Sequence, residues 1–220
     1  MSKSIQHTAE EKVRLYIAEN NLYNFGHATI ATVSGGADSI CLASMLKRLG
    51  IDFFAVHCNF HLRGEESMRD EKFVEDFCKR NDIKLFKTDF ETEKYASEKH
   101  ISIEMAAREL RYAYFEEIRK KMGAESISVA HHRDDNVETF LLNVTRGTGI
   151  RGAGSIKAVN NRIVRPMLCL SREEILEYLK EIGETYVTDS TNLECDFSRN
   201  KIRLKVIPLL KEINPAAQAN

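Results

Sequence analysis

Three kinds of residue in this chain stand at spacings that can do chemistry. The first is Ser34-Gly35-Gly36-Ala37-Asp38-Ser39, set between the apolar run Ile30–Val33 and a helix-like pattern. Glycines let a backbone turn tightly and approach a ligand, and the unpaired N–H groups at a helix start hold an anion. Ser34 and Ser39 can add hydroxyls. Asp38 would repel a phosphate directly, but suits a Mg²⁺ ion bound to one. The second kind is acidic: Asp135 and Glu138 lie one helical turn apart and can converge on a metal or a leaving phosphate. The third is basic. Arg108 and Arg111 share a helical face with Glu104, and Arg199 and Arg203 stand one turn apart near the C-terminus. His57, His61 and Arg63 fall at or beyond the end of a second apolar run, and His131 and His132 beyond a later one.

Stretches that read as short buried strands (28–33, 52–58, 83–88 and 126–131) alternate with helical patterns over 38–49, 65–81, 103–122 and 134–145. Such alternation predicts an α/β fold, a Rossmann-like parallel sheet with helices on both faces. In sheets of this kind ligands bind beyond the carboxyl ends of the strands, where the singled-out residues fall. Gly50 and Gly123 are placed to end helices in the left-handed conformation. Thr8-x-x-Glu11 resembles a capping box. After residue 146 the texture changes. "RGTGIRGAGSI" carries four glycines in eleven residues, followed by a strand near 162–166, a helix opened by Ser171 with Glu174 three residues on, and a last helix over 198–210. The chain reads as one catalytic domain over 1–220, with 147–220 a basic, partly helical extension.

Composition narrows the setting. Hydrophobic residues make up 43% and charged residues 30%, as in an ordinary soluble protein, and no apolar run approaches a membrane span. The polar N-terminus lacks the apolar core of a signal peptide. A cytoplasmic protein without a membrane partner is expected. Cys41, Cys58, Cys78, Cys169 and Cys195 show no Cys-x-x-Cys spacing, so free thiols are expected rather than a zinc or redox pair. The net charge is −1, yet Thr139–Arg172 holds six cations (Arg146, Arg151, Lys157, Arg162, Arg165, Arg172) and no acid. Phe197–Lys211 adds five more cations, again with no acid. A polyanion on one face is therefore expected.

The loop at 34–39 lacks the lysine of the Gly-x-x-x-x-Gly-Lys-Ser/Thr type and is not Gly-x-Gly-x-x-Gly. It resembles that of the PP-loop, or N-type ATP pyrophosphatase, superfamily. Five later stretches, "HLRGEES" (61–67), "EMAARELRY" (104–112), "HHRDDNVET" (131–139), "RGTGIRG" (146–152) and "RNKIR" (199–203), make the set similar to the tRNA(Ile)-lysidine synthetase family from about residue 28 to 210. Asn59-Phe60-His61 departs from the family's usual Asn-His, and the C-terminal tRNA-binding domains usual in the family are not in this sequence.

The resemblance implies joining of L-lysine to C2 of the wobble cytidine of tRNA(Ile) with a CAU anticodon. ATP first adenylates the cytidine oxygen with release of pyrophosphate, and the lysine amine then displaces AMP. On this reading Ser34, Gly35, Gly36, Ala37, Asp38, Ser39, His57 and Arg63 bind ATP. Asp38, Asp135 and Glu138 hold Mg²⁺, and with Arg111 they form the catalytic set. Arg108, His131, His132, Arg146, Arg151, Arg199 and Arg203 contact tRNA or phosphate. The general base, the lysine pocket and the oligomeric state, a homodimer included, stay open. The rivals are another PP-loop tRNA-modifying enzyme of thiolating type and a noncatalytic nucleotide-binding module.

Overall fold

A computed structural model describes residues 5–24, 26–148, 154, 156–188 and 198–214. The elements run α1 (Ile5–Glu19), β1 (Thr29–Thr32), α2 (Ala37–Arg48), β2 (Phe53–Asn59), α3 (Glu65–Arg80), β3 (Leu85–Asp89), α4 (Thr92–Lys99), α5 (Ile103–Lys121), β4 (Ser126–Ser128) and α6 (Arg133–Thr145). Then come β5 (Val159–Asn160), β6 (Ile163–Val164), α7 (Arg172–Ile182), α8 (Ser198–Lys201), a π-helical turn (Ile202–Val206) and α9 (Ile207–Ile213).

The sheet has the order β3-β2-β1-β4-β6-β5. Every pairing is parallel except β5 with β6. Side chains alternate across it, as a period of two requires. Ala31 and Val33 point into a core with Ile40, Leu42 and Leu46 of α2, Val74 and Phe77 of α3, and Ile175, Tyr178 and Leu179 of α7. Ile30 and Val56 point the other way, against Phe115 and Ile118 of α5. Both faces are thus covered, which is why these strands read as nearly unbroken apolar runs.

The four-strand expectation and the helices between them hold to within a residue or two at most ends. Gly50 and Gly123 adopt the expected positive φ, 69° and 64°. The Thr8–Glu11 box is a correction: Thr8 lies inside α1, which opens at Ile5, so it does not open the helix. The segment read as an extension contributes to the main fold, since β6 pairs with β4 and α7 packs into the larger core. Two features carried no signal strong enough to read: α4, a short polar helix, and the π-helical turn that divides the expected last helix.

The chain turns back on itself at β1. From there it runs outward to β2 and β3, then returns to β4 on the other side. The loops after β1 and β4 therefore diverge at a switch point, where an open α/β sheet leaves a crevice.

Candidate functional site

The crevice at this switch point has two adjoining lobes of about 530 Å³ and about 470 Å³, each within the range of small-ligand sites. The larger is lined by Ser34, Gly36, Asp38 and Ser39 of the first loop, by Glu104, Arg108 and Arg111 of α5, and by His131 and Asp135 beyond β4. The smaller is lined by Asn59, Phe60, Leu62, Arg63, Ser67 and Asp70 around the end of β2 and the start of α3. Ser34, His57, Cys58, Phe60 and Arg111 border both.

The first loop is organised from within. Ser39 Oγ accepts the backbone N–H groups of Ser34 and Gly35, both at 3.1 Å, and donates to Gly36 O at 2.9 Å. Its single hydroxyl hydrogen is thereby used. Ser34 Oγ also donates to Ser39 Oγ, at 3.2 Å, so Ser39 ties the loop together while both serines border the crevice. Gly35 has φ +96°, and a Cβ there would lie 2.8 Å from Val187 Cγ2. Val187 N–H also donates to Gly35 O at 3.0 Å. Ala37, buried in the first turn of α2, supports the loop without lining the crevice. His57 is buried in β2, and its Nδ1 lies 2.8 Å from Val33 O, which ties the two strand ends together.

Arg111 sits over the Phe60 ring, 5.0 Å from its centroid, and Arg108 over Tyr112, also at 5.0 Å. These cation–π contacts hold two guanidinium groups on one wall. Arg63 donates to Asp70 Oδ2 at 3.0 Å, which anchors the loop between β2 and α3. His61, where the chain departs from the family's usual Asn-His, has φ +51° and pairs at its Nε2 with Asp89 Oδ1, 2.8 Å away.

Beyond β4, His132 is the N-cap of α6 and is almost wholly buried. Its backbone N–H donates to Asp135 Oδ2 at 2.9 Å. Its Nε2 stands 3.7 Å from Asp38 Oδ1 and 3.6 Å from Asp135 Oδ2, and its Nδ1 stands 3.4 Å from Asp134 Oδ2 without hydrogen-bonding geometry. Burial opposes its protonation, but the Asp134, Asp135 and Asp38 carboxylates outweigh it and hold His132 above the ordinary histidine range. Asp134, against its own burial, is pushed down to about 2 by His132 and by the backbone N–H of Arg172. Next to it, His131 Nδ1 accepts from Arg165 Nε at 3.1 Å. A neutral His131 therefore carries its proton on Nε2.

Glu138 is fully buried and grips Arg203, whose Nε and Nη2 donate to its two carboxylate oxygens at 2.6 and 3.1 Å. Arg203 also approaches Asp135 Oδ1, at 3.8 Å. Of the expected metal trio Asp38, Asp135 and Glu138, the last stands on a guanidinium in this structure. Among the described residues no three His, Cys, Asp or Glu side chains gather as metal ligands. Asp38 and Asp135 face one space across His132. One or two carboxylates are what Mg²⁺ takes from a protein when phosphates and water supply the rest, so this pair fits a metal carried in on a nucleotide.

Arg146 caps the far end of α6, exposed and roughly 20 Å along the helix from His132. It is not brought to the crevice. Arg151 lies outside the described residues, as does the side chain of Arg199. Two residues that sequence reasoning did not single out belong to the site. Arg165, buried against Lys157 O and His131, fixes the histidine tautomer. Arg172 donates to Asp38 through its guanidinium and to Asp134 through its backbone N–H. Both stood in the acid-free stretch, but composition does not say which of six cations turns inward.

Comparison with known proteins places this geometry. The family model described as a PP-loop domain matches residues 5–210. A tRNA(Ile)-lysidine synthase of Bacteroides thetaiotaomicron is 54% identical over 209 residues, which cover 95% of this chain and 49% of that protein. Its namesake in Parabacteroides distasonis is 55% identical over 206 residues, covering 94% and 47%. The chain thus spans about half the length of the curated relatives it matches. Among solved structures, the U34-tRNA thiolase NcsA from Methanococcus maripaludis superposes with a TM-score of 0.79 at 15% identity, covering 98% of this chain and 76% of its own. An NH3-dependent NAD synthetase from Campylobacter jejuni gives 0.59 at 15% identity, covering 100% and 89%. These two share the fold alone. With a family match over nearly the whole chain, and the Ser-Gly-Gly-Ala-Asp-Ser loop at the switch point of its sheet, the chain belongs to the ATP-binding PP-loop domain family.

Proposed function

We propose that this chain forms the catalytic half of a tRNA(Ile)-lysidine synthase. It would bind ATP and Mg²⁺ in the larger lobe and adenylate C2–O of the wobble cytidine in tRNA(Ile) with a CAU anticodon. Free L-lysine would then displace AMP, in the cytoplasm where these substrates meet. The observation that carries this reading is the identity of 54–55% to proteins of that name over nearly the whole chain. The crevice, with residues from three separate motifs around its larger lobe and a fourth around the smaller, supports it.

The chemistry asks for few things, and the side chains can supply them. In the first step the bond from the cytidine oxygen to the α-phosphorus forms as the α–β phosphoanhydride bond breaks. Negative charge grows on the phosphoryl oxygens and on the departing pyrophosphate. Arg111, and beside it Arg108, offer fixed positive charge on one wall, in a site where such charge needs no reorganisation. Ser34 and the amides at the start of α2 face the pyrophosphate end. Asp38 and Asp135 would hold Mg²⁺, which when bound neutralises phosphate charge. In the second step the lysine amine attacks C2 and AMP leaves with the oxygen. The amine must arrive unprotonated. A neutral His131 has its Nδ1 lone pair engaged by Arg165, and His132 is ringed by carboxylates that raise its pKa, so a carboxylate of the lobe is better placed than either histidine to take the amine proton. Arg203 on Glu138 borders the same carboxylates from the side of the C-terminal helices and is our candidate for contact with tRNA phosphate.

Identification of the nucleotide products tests this reading. AMP and pyrophosphate, formed only when the tRNA is present, are expected. Stable ATP binding without turnover under those conditions would point to a noncatalytic module instead.

A further inference from the structure

The segment from Ser171 to Val187 grips the phosphate-binding loop at both of its own ends. At the first end the Arg172 guanidinium donates to Asp38 Oδ1, while the backbone N–H of the same residue donates to Asp134 Oδ2 at 2.6 Å. At the other end Val187 pairs with Gly35 through its N–H and covers it with its side chain. Between them α7 is fixed in the core by Ile175, Tyr178 and Leu179. Ser171 and Glu174 close a capping box at its start, with Ser171 N–H donating to Glu174 Oε2 at 2.7 Å. The Arg172 backbone is therefore anchored, whereas its side chain is 41% exposed and has solvent to turn through.

Asp38 stands on the wall of the larger lobe beside Ser34, Gly36 and Ser39, where the phosphate end of a nucleotide belongs. A guanidinium placed there has two partners of matching geometry, a carboxylate or phosphate oxygens. It cannot serve both fully, and a cation on Asp38 opposes a metal ion at the same oxygens.

We propose that Arg172 is a positioning residue, the exchangeable counter-ion of the phosphate loop: it neutralises Asp38 while the crevice holds no nucleotide, and transfers to the pyrophosphate oxygens when nucleotide and Mg²⁺ arrive together. The cleft is thereby kept from taking up bare divalent cations, and metal and nucleotide are selected as a pair. Only the nucleotide-binding half of the proposed function is assumed. Neither tRNA nor lysine enters the test, so its failure and a failure of lysidine formation are separable.

The test compares the native chain with Arg172→Gln and Arg172→Lys. Binding of Mn²⁺ alone is read by electron paramagnetic resonance, and binding of Mg²⁺-pyrophosphate by calorimetry. Removing a unit positive charge within hydrogen-bond reach of Asp38 should tighten Mn²⁺ binding about tenfold in Arg172→Gln. Pyrophosphate should bind about tenfold more weakly in that variant, and Arg172→Lys should stay near the native value for both. A damaged fold would weaken both ligands, so the opposite signs distinguish exchange from simple bracing. Unchanged Mn²⁺ affinity, or weakening of both ligands, overturns the proposal. Tighter Mn²⁺ with unchanged pyrophosphate overturns the transfer to phosphate.

Discussion

Ser39, Gly35 and Glu138 each make a separable contribution at the scale of single residues. Replacing Ser39 by alanine removes the acceptor of two loop amides and the donor to Gly36 O. Leaving such groups without partners costs about 1–3 kcal/mol, so Ser39→Ala should lower the urea midpoint and weaken ATP binding together. Gly35→Ala meets both a positive φ and the Val187 methyl group. A strain of about 1–3 kcal/mol is expected, read as a fall in melting temperature with loss of ATP binding; an additional Val187→Ala change should relieve the steric part but not the conformational part. Glu138→Gln leaves Arg203 with one neutral acceptor in place of a carboxylate. Because the Arg203 side chain is 38% exposed, the loss should be about 1–2 kcal/mol, less than for a fully buried pair, and chemical denaturation measures it. These residues also mark where reading by motif stopped short. The spacing of Asp135 and Glu138 correctly puts them on one turn, but a helix turn says nothing of a guanidinium arriving from 65 positions away. Ser39 matched its motif, yet the motif does not show that its hydroxyl also ties the loop's own amides together. The Arg172–Asp38 pair, 134 positions apart, depends on α7 packing into the core and has no local signature at all.

At the scale of elements, the crevice is framed by strand ends and helix starts that the apolar pattern makes readable. Strands buried on both faces stand out as apolar runs, and helices with one apolar face show a period near 3.6. That is why the sheet, its helices and the position of the loop at 34–39 were legible, whereas the fourth strand, expected to run through 131, ends at Ser128. Weak amphipathicity hid α4, and the two-residue β5 lies in a turn too short to show an alternation. One side of the crevice is supported by α3. There Glu71 is buried, accepts Asn59 Nδ2 at 2.7 Å and Lys87 Nζ at 2.5 Å, and so fixes an asparagine on the smaller lobe. Burial opposes ionisation of Glu71, but Lys87 and Asn59 prevail and hold its carboxyl below the ordinary value. A lowered value in the folded state means that the stabilisation is fully present above the ordinary carboxylate range and is lost as pH falls through the folded value. Glu71→Gln should therefore flatten the acid limb of melting temperature against pH while leaving the neutral plateau displaced downward. An acid limb unchanged in the variant would show that Glu71 does not supply it.

The described residues form a mostly parallel sheet with a crevice at its switch point that brings cationic and anionic side chains together. Arg108 and Arg111 stand on α5, and Asp38 and Asp135 stand across from them. The described residues include no helix long and apolar enough to cross a membrane. The basic stretches after residue 139 suit a polyanion, and phosphate contacts predict that tRNA affinity falls steeply with salt; a nearly flat dependence on salt would count against them. The most direct test of the central claim is transfer of labelled lysine to tRNA(Ile) with a CAU anticodon, in the presence of ATP and Mg²⁺, followed by mild alkali. Label that survives alkali, with one AMP released per lysine bound, is the result predicted, because lysine joined to a base is not an ester. AMP release that leaves no alkali-stable lysine on the tRNA would contradict it.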